Sequence, residues 1–244
     1  MRSCRCQSLL QAVPLAACFL MLSVISANAA DRSDEDKARD AQRKPTEVLE
    51  FFGLKSGDTV LDVWASGGWY TEVLSGAVGP DGRVISQNSP SVLQMRDGFF
   101  DRELDARLVD DRLANVERLD ATIVDSSIEA GSIDLALAAL IFHDMYNMQG
   151  EKSALEILKT ILAVLKPGGT LALIDHVGNA DADNNSIHRI DPALVRKTAI
   201  DAGFVVDAES DLLAHADDDH SKMVFDPSVR GKTDRLMLRL RKPE

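Results

Sequence analysis

Thr59-Val60-Leu61-Asp62-Val63-Trp64-Ala65-Ser66-Gly67-Gly68-Trp69-Tyr70-Thr71-Glu72 is the stretch on which the fold turns. The apolar run Thr59 to Trp64 follows the turn residues Lys55-Ser56-Gly57-Asp58, so it reads as a short buried strand. A Ser-Gly-Gly turn then opens a helix from Trp69 to Val78, and Gly79-Pro80-Asp81-Gly82 is turn chemistry. A strand, a tight turn and a helix in that order form the unit from which parallel α/β sheets are built.

The same alternation continues to the end of the chain. Arg83 to Gln87 predicts a second strand, Ser91 to about Leu113 a helix among many charges, and Arg118 to Val124 a weaker strand. Ile133 to Phe142 has a single charge in ten residues and reads as a central parallel strand. Glu151 to Leu165 carries Ala154, Leu158, Ile161 and Leu165 on one helical stripe, with Leu155 and Leu162 beside it. Pro167-Gly168-Gly169 stops that helix, and Thr170 to Asp175 is the next strand. Asp191 caps a helix that begins at Pro192 and ends at Gly203. Phe204 to Ala208 and Arg235 to Leu240 close the chain as two strands with no helix between them, which predicts an antiparallel edge hairpin. The expected fold is α/β: a doubly wound, mostly parallel seven-stranded sheet of Rossmann-like form.

Before this domain, residues 1–29 follow another logic. Arg2 and Arg5 precede an apolar run from Leu9 to Ile25, which ends in Ala27-Asn28-Ala29. That is the order of a secretory signal peptide cleaved after Ala29, so export to the bacterial periplasm is expected, with no stable membrane insertion after processing. Two competing readings of the segment are a lipoprotein box at Leu15-Ala16-Ala17-Cys18 and an uncleaved membrane anchor. Residues 30–45 then form a charged arm, read as a solvated helix or a loose tail, and residues 46–244 the α/β domain. Thr46 to Phe52 is a short helix with Val48, Leu49, Phe51 and Phe52 to bury.

The chain has 27 basic and 39 acidic residues, and loss of the leader removes two of the basic ones. An acidic chain lacks the basic face that phosphate tracking needs, which argues against nucleic acid and anionic membrane surfaces as partners. Cys4, Cys6 and Cys18 all precede Ala30, so cysteine nucleophiles and thiolate metal sites are not expected in the processed chain.

In open parallel sheets, ligands bind outside the carboxyl ends of the strands. The polar groups just past those ends are Ser66, Gly67 and Gly68, then Asn88, then Asp120 or Asp125, then His143-Asp144, and finally Asp175-His176. His143-Asp144 and Asp175-His176 follow neighbouring strands and can form an acid/base pair or half of a metal site. The long connection from Asp211 to Thr233 is expected to overhang the crevice, which makes His220, Lys222, Arg230 and Lys232 candidate substrate contacts.

Three segments together resemble the class I S-adenosylmethionine-dependent methyltransferases. They are Val60 to Glu72, Gly79-Pro80-Asp81-Gly82-Arg83-Val84-Ile85, and Leu165-Lys166-Pro167-Gly168-Gly169-Thr170-Leu171. The register runs from about Leu54 to Leu240. Trp64, the block Gly67 to Glu72, the leader and His188-Arg189-Ile190-Asp191-Pro192 also resemble a secreted branch of predicted methyltransferases. The resemblance implies S-adenosylmethionine as cofactor, bound by Asp62, Ser66, Gly67, Gly68, Asn88 and Asp120. It implies an unidentified small methyl acceptor, with His143, Asp144 and His176 as candidate catalytic groups and His188, His220, Arg230 and Lys232 as substrate contacts; no metal is assigned. Trp64 and Ser66 stand at the first two glycine places of the family's loop, and Asn88 at its ribose-binding acid. A non-catalytic ligand-binding scaffold and a metal-dependent hydrolase using His143, His176 and neighbouring acids are the alternatives.

Overall fold

The computed structural model describes residues 32–244. The leader, its cleavage site and the readings at Cys18 lie outside the described residues. Seven strands form one sheet in the order β3-β2-β1-β4-β5-β7-β6. They are β1 (Thr59–Val63), β2 (Arg83–Asn88), β3 (Val116–Asp120), β4 (Ile133–Ala139), β5 (Leu165–His176), β6 (Val205–Glu209) and β7 (Arg235–Arg241). All neighbours are parallel except those of β7, which runs antiparallel to both β5 and β6. The closing strands are therefore antiparallel as expected, but β7 inserts beside β5 and leaves β6 at the edge, parallel to the main sheet.

Alternate residues of the strands feed two cores. Leu61, Val63, Ala136, Leu171 and Leu173 pack with α5 (Phe142–Gln149), α6 (Glu151–Val164) and α7 (Pro192–Ala202) on one face. Val60, Leu135, Leu137, Ala172 and Ile174 pack with α2 (Pro45–Phe52) and α3 (Trp69–Val78) on the other. The twofold period of a strand buried on both sides produces this division.

Four sequence expectations shift. The third strand lies earlier, at Val116–Asp120. The run Ile133 to Phe142 splits: β4 ends at Ala139, Leu140 takes φ 62°, and α5 begins at Phe142. β5 starts at Leu165 instead of Thr170, because Gly168 and Gly169 exchange backbone hydrogen bonds with Lys242. The helix after β2, α4 (Pro90–Leu108), is broken at Met95–Gly98, where Arg96, Asp97 and Gly98 have positive φ.

The charged arm is a helix, solvated along most of its length and anchored to the domain at a few residues. It forms α1 (Asp34–Arg43), capped by the Ser33 hydroxyl, which accepts from Asp36 N at 3.1 Å. Asp36 is buried and receives both ends of the Arg107 guanidinium, at 2.6 and 3.1 Å, while its carbonyl accepts from Trp69 Nε1. Arg107 of α4 also donates to Glu72 and to the Gly67 carbonyl, so one cation ties α1, α3, α4 and the first loop together.

Candidate active site

The loop after β1 keeps the backbone shape of a glycine loop without all its glycines. Trp64, Ser66 and Gly68 have φ of 50°, 52° and 78°, all in the left-handed region that disfavours residues with a Cβ. The loop is held by side chains of β2. Trp64 N donates to Gln87 Oε1 at 3.1 Å, and Ser66 N donates to Asn88 Oδ1 at 2.8 Å while Asn88 Nδ2 returns a bond to the Ser66 carbonyl. Asn88, expected as the ribose contact, is fully buried and works here as a latch on the loop. Gly68, expected to face a ligand, faces α4 instead: a Cβ there would sit 2.8 Å from Leu104 Cδ1 and 3.2 Å from Arg107 Cδ. At Gly67 the nearest atom would be Glu103 Cβ, at 2.9 Å.

Asp62 is buried at the end of β1 and accepts from Thr71 Oγ1 at 2.7 Å. Burial pushes its carboxyl up to about 7, against the opposing pull of Thr71 and Arg43. Asp120 lies opposite Asn88 at the end of β3, where Arg118 Nε holds its carboxylate at 2.8 and 2.9 Å.

The ends of β4 and β5 meet. Asp175 accepts from His143 N (2.7 Å), from His176 N (2.7 Å) and from the His143 ring at Nδ1 (2.6 Å), so it caps α5 and orients the imidazole together. The left-handed turn at Leu140 directs the chain into α5, and His143 falls in that helix's first turn. His143 Nε2 lies 3.3 Å from Asp144 Oδ1, which also holds His188 Nδ1 at 3.1 Å. The rings of His143 and His176 are 5.8 Å apart, and those of His143 and His188 5.6 Å.

The two strand-end histidines are in opposite electrostatic states. Burial pushes His143 down, but the Asp175 and Asp144 carboxylates outweigh it and hold it up at about 10. Burial pushes His176 well below the ordinary histidine range, helped by His143, Arg235, Arg189 and Arg43. At neutral pH, His176 is thus a neutral imidazole, and the same burial and cations that keep it neutral make it a weak base suited to accepting a hydrogen bond. Its Nδ1 lies 2.8 Å from Thr233 Oγ1, so when Nδ1 donates to that hydroxyl the basic nitrogen is Nε2.

Of the expected substrate contacts, only His188 joins this cluster. His220 is held by Asp234 at 3.0 Å and Asn179 at 3.2 Å, and Arg230 and Lys232 stay exposed. The Asp211 to Thr233 connection is pinned by the fully buried Arg189, which pairs with Asp218 at 2.8 and 3.0 Å. It brings Phe225 to within 5.2 Å of the His188 ring.

Two residues escaped the sequence reading. Arg43 lies over the Trp69 and Tyr70 rings, at 4.4 and 5.7 Å, and burial lowers it to about 10, with Arg39 adding to the effect. Arg235 is buried and donates to the carbonyls of Gln42, Gly231 and Thr233. Among the described residues neither has a carboxylate ion pair. Both cations act electrostatically on Tyr70 and on His176. A cavity of about 890 Å³ lies elsewhere, between Ser75 and Gly79 of α3's end and the amino-terminal starts of β2 and β3. It is at the wrong end of the sheet for this chemistry.

No protein-family model matches the chain. A demethylmenaquinone methyltransferase of Lactococcus lactis subsp. lactis is 29% identical over 140 residues, which are 57% of this chain and 49% of that protein. The chain thus matches about half the length of that curated relative. Among solved structures, a SAM-dependent methyltransferase from Aquifex aeolicus superposes with a TM-score of 0.62 at 23% identity, over 84% of this chain and 95% of that one. Aeropyrum pernix fibrillarin, with natively bound S-adenosyl-L-methionine, superposes with a TM-score of 0.51 at 19% identity, over 83% of this chain and 76% of that one. The chain therefore has the Rossmann-like seven-stranded fold of these structures.

Proposed function

We propose that the protein transfers a methyl group from S-adenosylmethionine to a small acceptor. The observation that carries this reading is the loop after β1: Trp64, Ser66 and Gly68 all keep left-handed backbone, at the places where the resembling family has glycines. The fold shared with a fibrillarin that holds S-adenosyl-L-methionine supports the same cofactor. Asp62 and the loop backbone would face the cofactor's amino-acid end, and the β4 and β5 ends the acceptor. Methyl transfer is a direct displacement, so positioning supplies most of the rate. An acceptor hydroxyl would be positioned by a hydrogen bond to the neutral His176 Nε2, and its proton would pass to solvent as its oxygen attacks the methyl carbon. Bound S-adenosylmethionine would supply the electrophilic methyl group, with its sulfonium sulfur as the leaving group.

Arg43 and Arg235, which have no carboxylate ion pair among the described residues, favour a ligand with an anionic group near Tyr70 and His176. The relative from Lactococcus lactis acts by name on demethylmenaquinone, which favours a hydroxylated aromatic ring as the first acceptor class to try. The sequence leader supports processing before Ala30 and a periplasmic site of action, together with membership of the secreted branch. Intact mass of the extracytoplasmic protein tests that part, and mass retained ahead of Ala30 contradicts it.

A ligand-binding scaffold without turnover is the second reading, favoured by Asn88. Its amide is held by Ser66 where the family has a charged acid for the ribose. Incubation with methyl-labelled cofactor and a panel of hydroxylated aromatic acids separates the two. Label in an acceptor supports the transferase, and cofactor binding with no transfer to any acceptor supports the scaffold.

A further inference from the structure

We infer that His143, Asp144 and His188 form a binding site for one divalent first-row transition-metal ion. One ligand atom from each of the three lies within 4.8 Å of the other two. Asp144 Oδ1 is 3.3 Å from His143 Nε2 and 3.1 Å from His188 Nδ1. Ligand atoms held about 2.0–2.1 Å from a shared ion are separated by roughly 3.0–3.4 Å, so the pocket needs only a small closure of the histidine pair.

Three further features distinguish this cluster from a hydrogen-bonded trio. Asp175 takes the His143 ring at Nδ1, at 2.6 Å, and fixes the ring by a second bond to the same residue's backbone. A carboxylate on the far nitrogen is the arrangement that sets a metal-binding imidazole, because it holds Nδ1 and aims Nε2, whose proton is released when an ion binds. His188 holds φ 55°, an unusual backbone for a non-glycine residue, and in it the ring meets Asp144. The side chain of His143 is 4% exposed, whereas those of Asp144 and His188 are 27% and 34% exposed. The set is thus closed on one side and open on the other, leaving coordination positions for water or a ligand. Two imidazoles and one carboxylate suit zinc, iron, cobalt, nickel or manganese better than magnesium or calcium, which prefer all-oxygen sets.

The site does not rest on the transferase reading, and its test omits the methyl donor. Tag-free full-length protein is stripped with a chelator, then titrated with Zn²⁺ by calorimetry and with Co²⁺ by visible absorption. The expected result is one ion per chain and a ligand-field spectrum of mixed nitrogen and oxygen donors. His188→Asn, which tolerates the left-handed backbone, and Asp144→Asn should each weaken binding at least tenfold with an unchanged circular dichroism spectrum. Asp175→Asn should weaken it about 10–100-fold. His220→Asn should bind as the wild type does. Absence of one-to-one binding, or wild-type affinity in both His188→Asn and Asp144→Asn, overturns the site. So does loss of binding in His220→Asn alone.

Discussion

Ser66 holds φ 52° in a loop where a glycine would carry no Cβ penalty. Its contact with Asn88 uses backbone atoms alone, so Ser66→Gly should keep that latch while relieving strain. We expect a gain of about 0.5–1 kcal/mol in urea denaturation, and a loss would show that the serine hydroxyl matters more than the backbone. Asp62 makes a second prediction. Its carboxyl is raised to about 7 in the folded chain, above the ordinary 3.8, so folding favours the neutral acid. The resulting stabilisation is fully present below about pH 4 and is lost as pH rises through 7. Asp62→Asn, which can still accept from Thr71, should exceed the wild type in stability by a margin that grows from pH 4 to 7 and levels off above. The margin should reach the order of a few kcal/mol. A margin that shrinks with pH contradicts the assignment. At this scale the strand-end rule found His143, Asp144, Asp175 and His176, because sequence position near a strand's carboxyl end suffices to place them. It did not find Arg43 or Arg235. Arg235 Nη2 reaches the Gln42 carbonyl across 193 residues of sequence, and local spacing carries no trace of such a contact.

The element that most changes the picture is α1. Its charge pattern reads as a solvated helix, yet Asp36 is buried because its counter-ion, Arg107, arrives from 71 residues away. Arg107→Met would leave the Asp36 and Glu72 carboxylates buried with much of their compensation gone. The expected cost is about 3–5 kcal/mol in chemical denaturation. Arg107→Lys should recover part of it, since lysine keeps the charge but not the fork that spans Asp36, Glu72 and Gly67. A loss below about 1 kcal/mol in Arg107→Met would mean that α1 is not held by this cation. Elements with strong local signals were legible from sequence: α7 has its Asp191 cap and Gly203 stop, and α6 its apolar stripe. Boundaries set by distant pairing were not. The break after Ala139 depends on a left-handed Leu140, whose N–H bonds to Ile174 at 2.7 Å, and the early start of β5 depends on Lys242.

On the scale of the whole molecule, the sheet order brings β1, β4 and β5 side by side, so the first loop and the histidine cluster lie at the same carboxyl-end edge of the sheet. The N-terminal helix adds Arg43 to it and the C-terminal strand adds Arg235, so both ends of the described chain contribute cations to a site on an acidic protein. No helix among the described residues is long and apolar enough to cross a membrane. The strand alternation made this architecture readable from sequence, whereas the identity of the ligand depends on how Asn88, Trp64 and α4 shape the cradle. Calorimetry of the folded chain with S-adenosylmethionine, and separately with its demethylated product, is the direct test of the proposed cofactor. One-to-one binding of both is expected, with dissociation constants on the order of micromolar. No detectable heat for either, with ligand raised to about a millimolar and the chain still showing a cooperative melt, would contradict it.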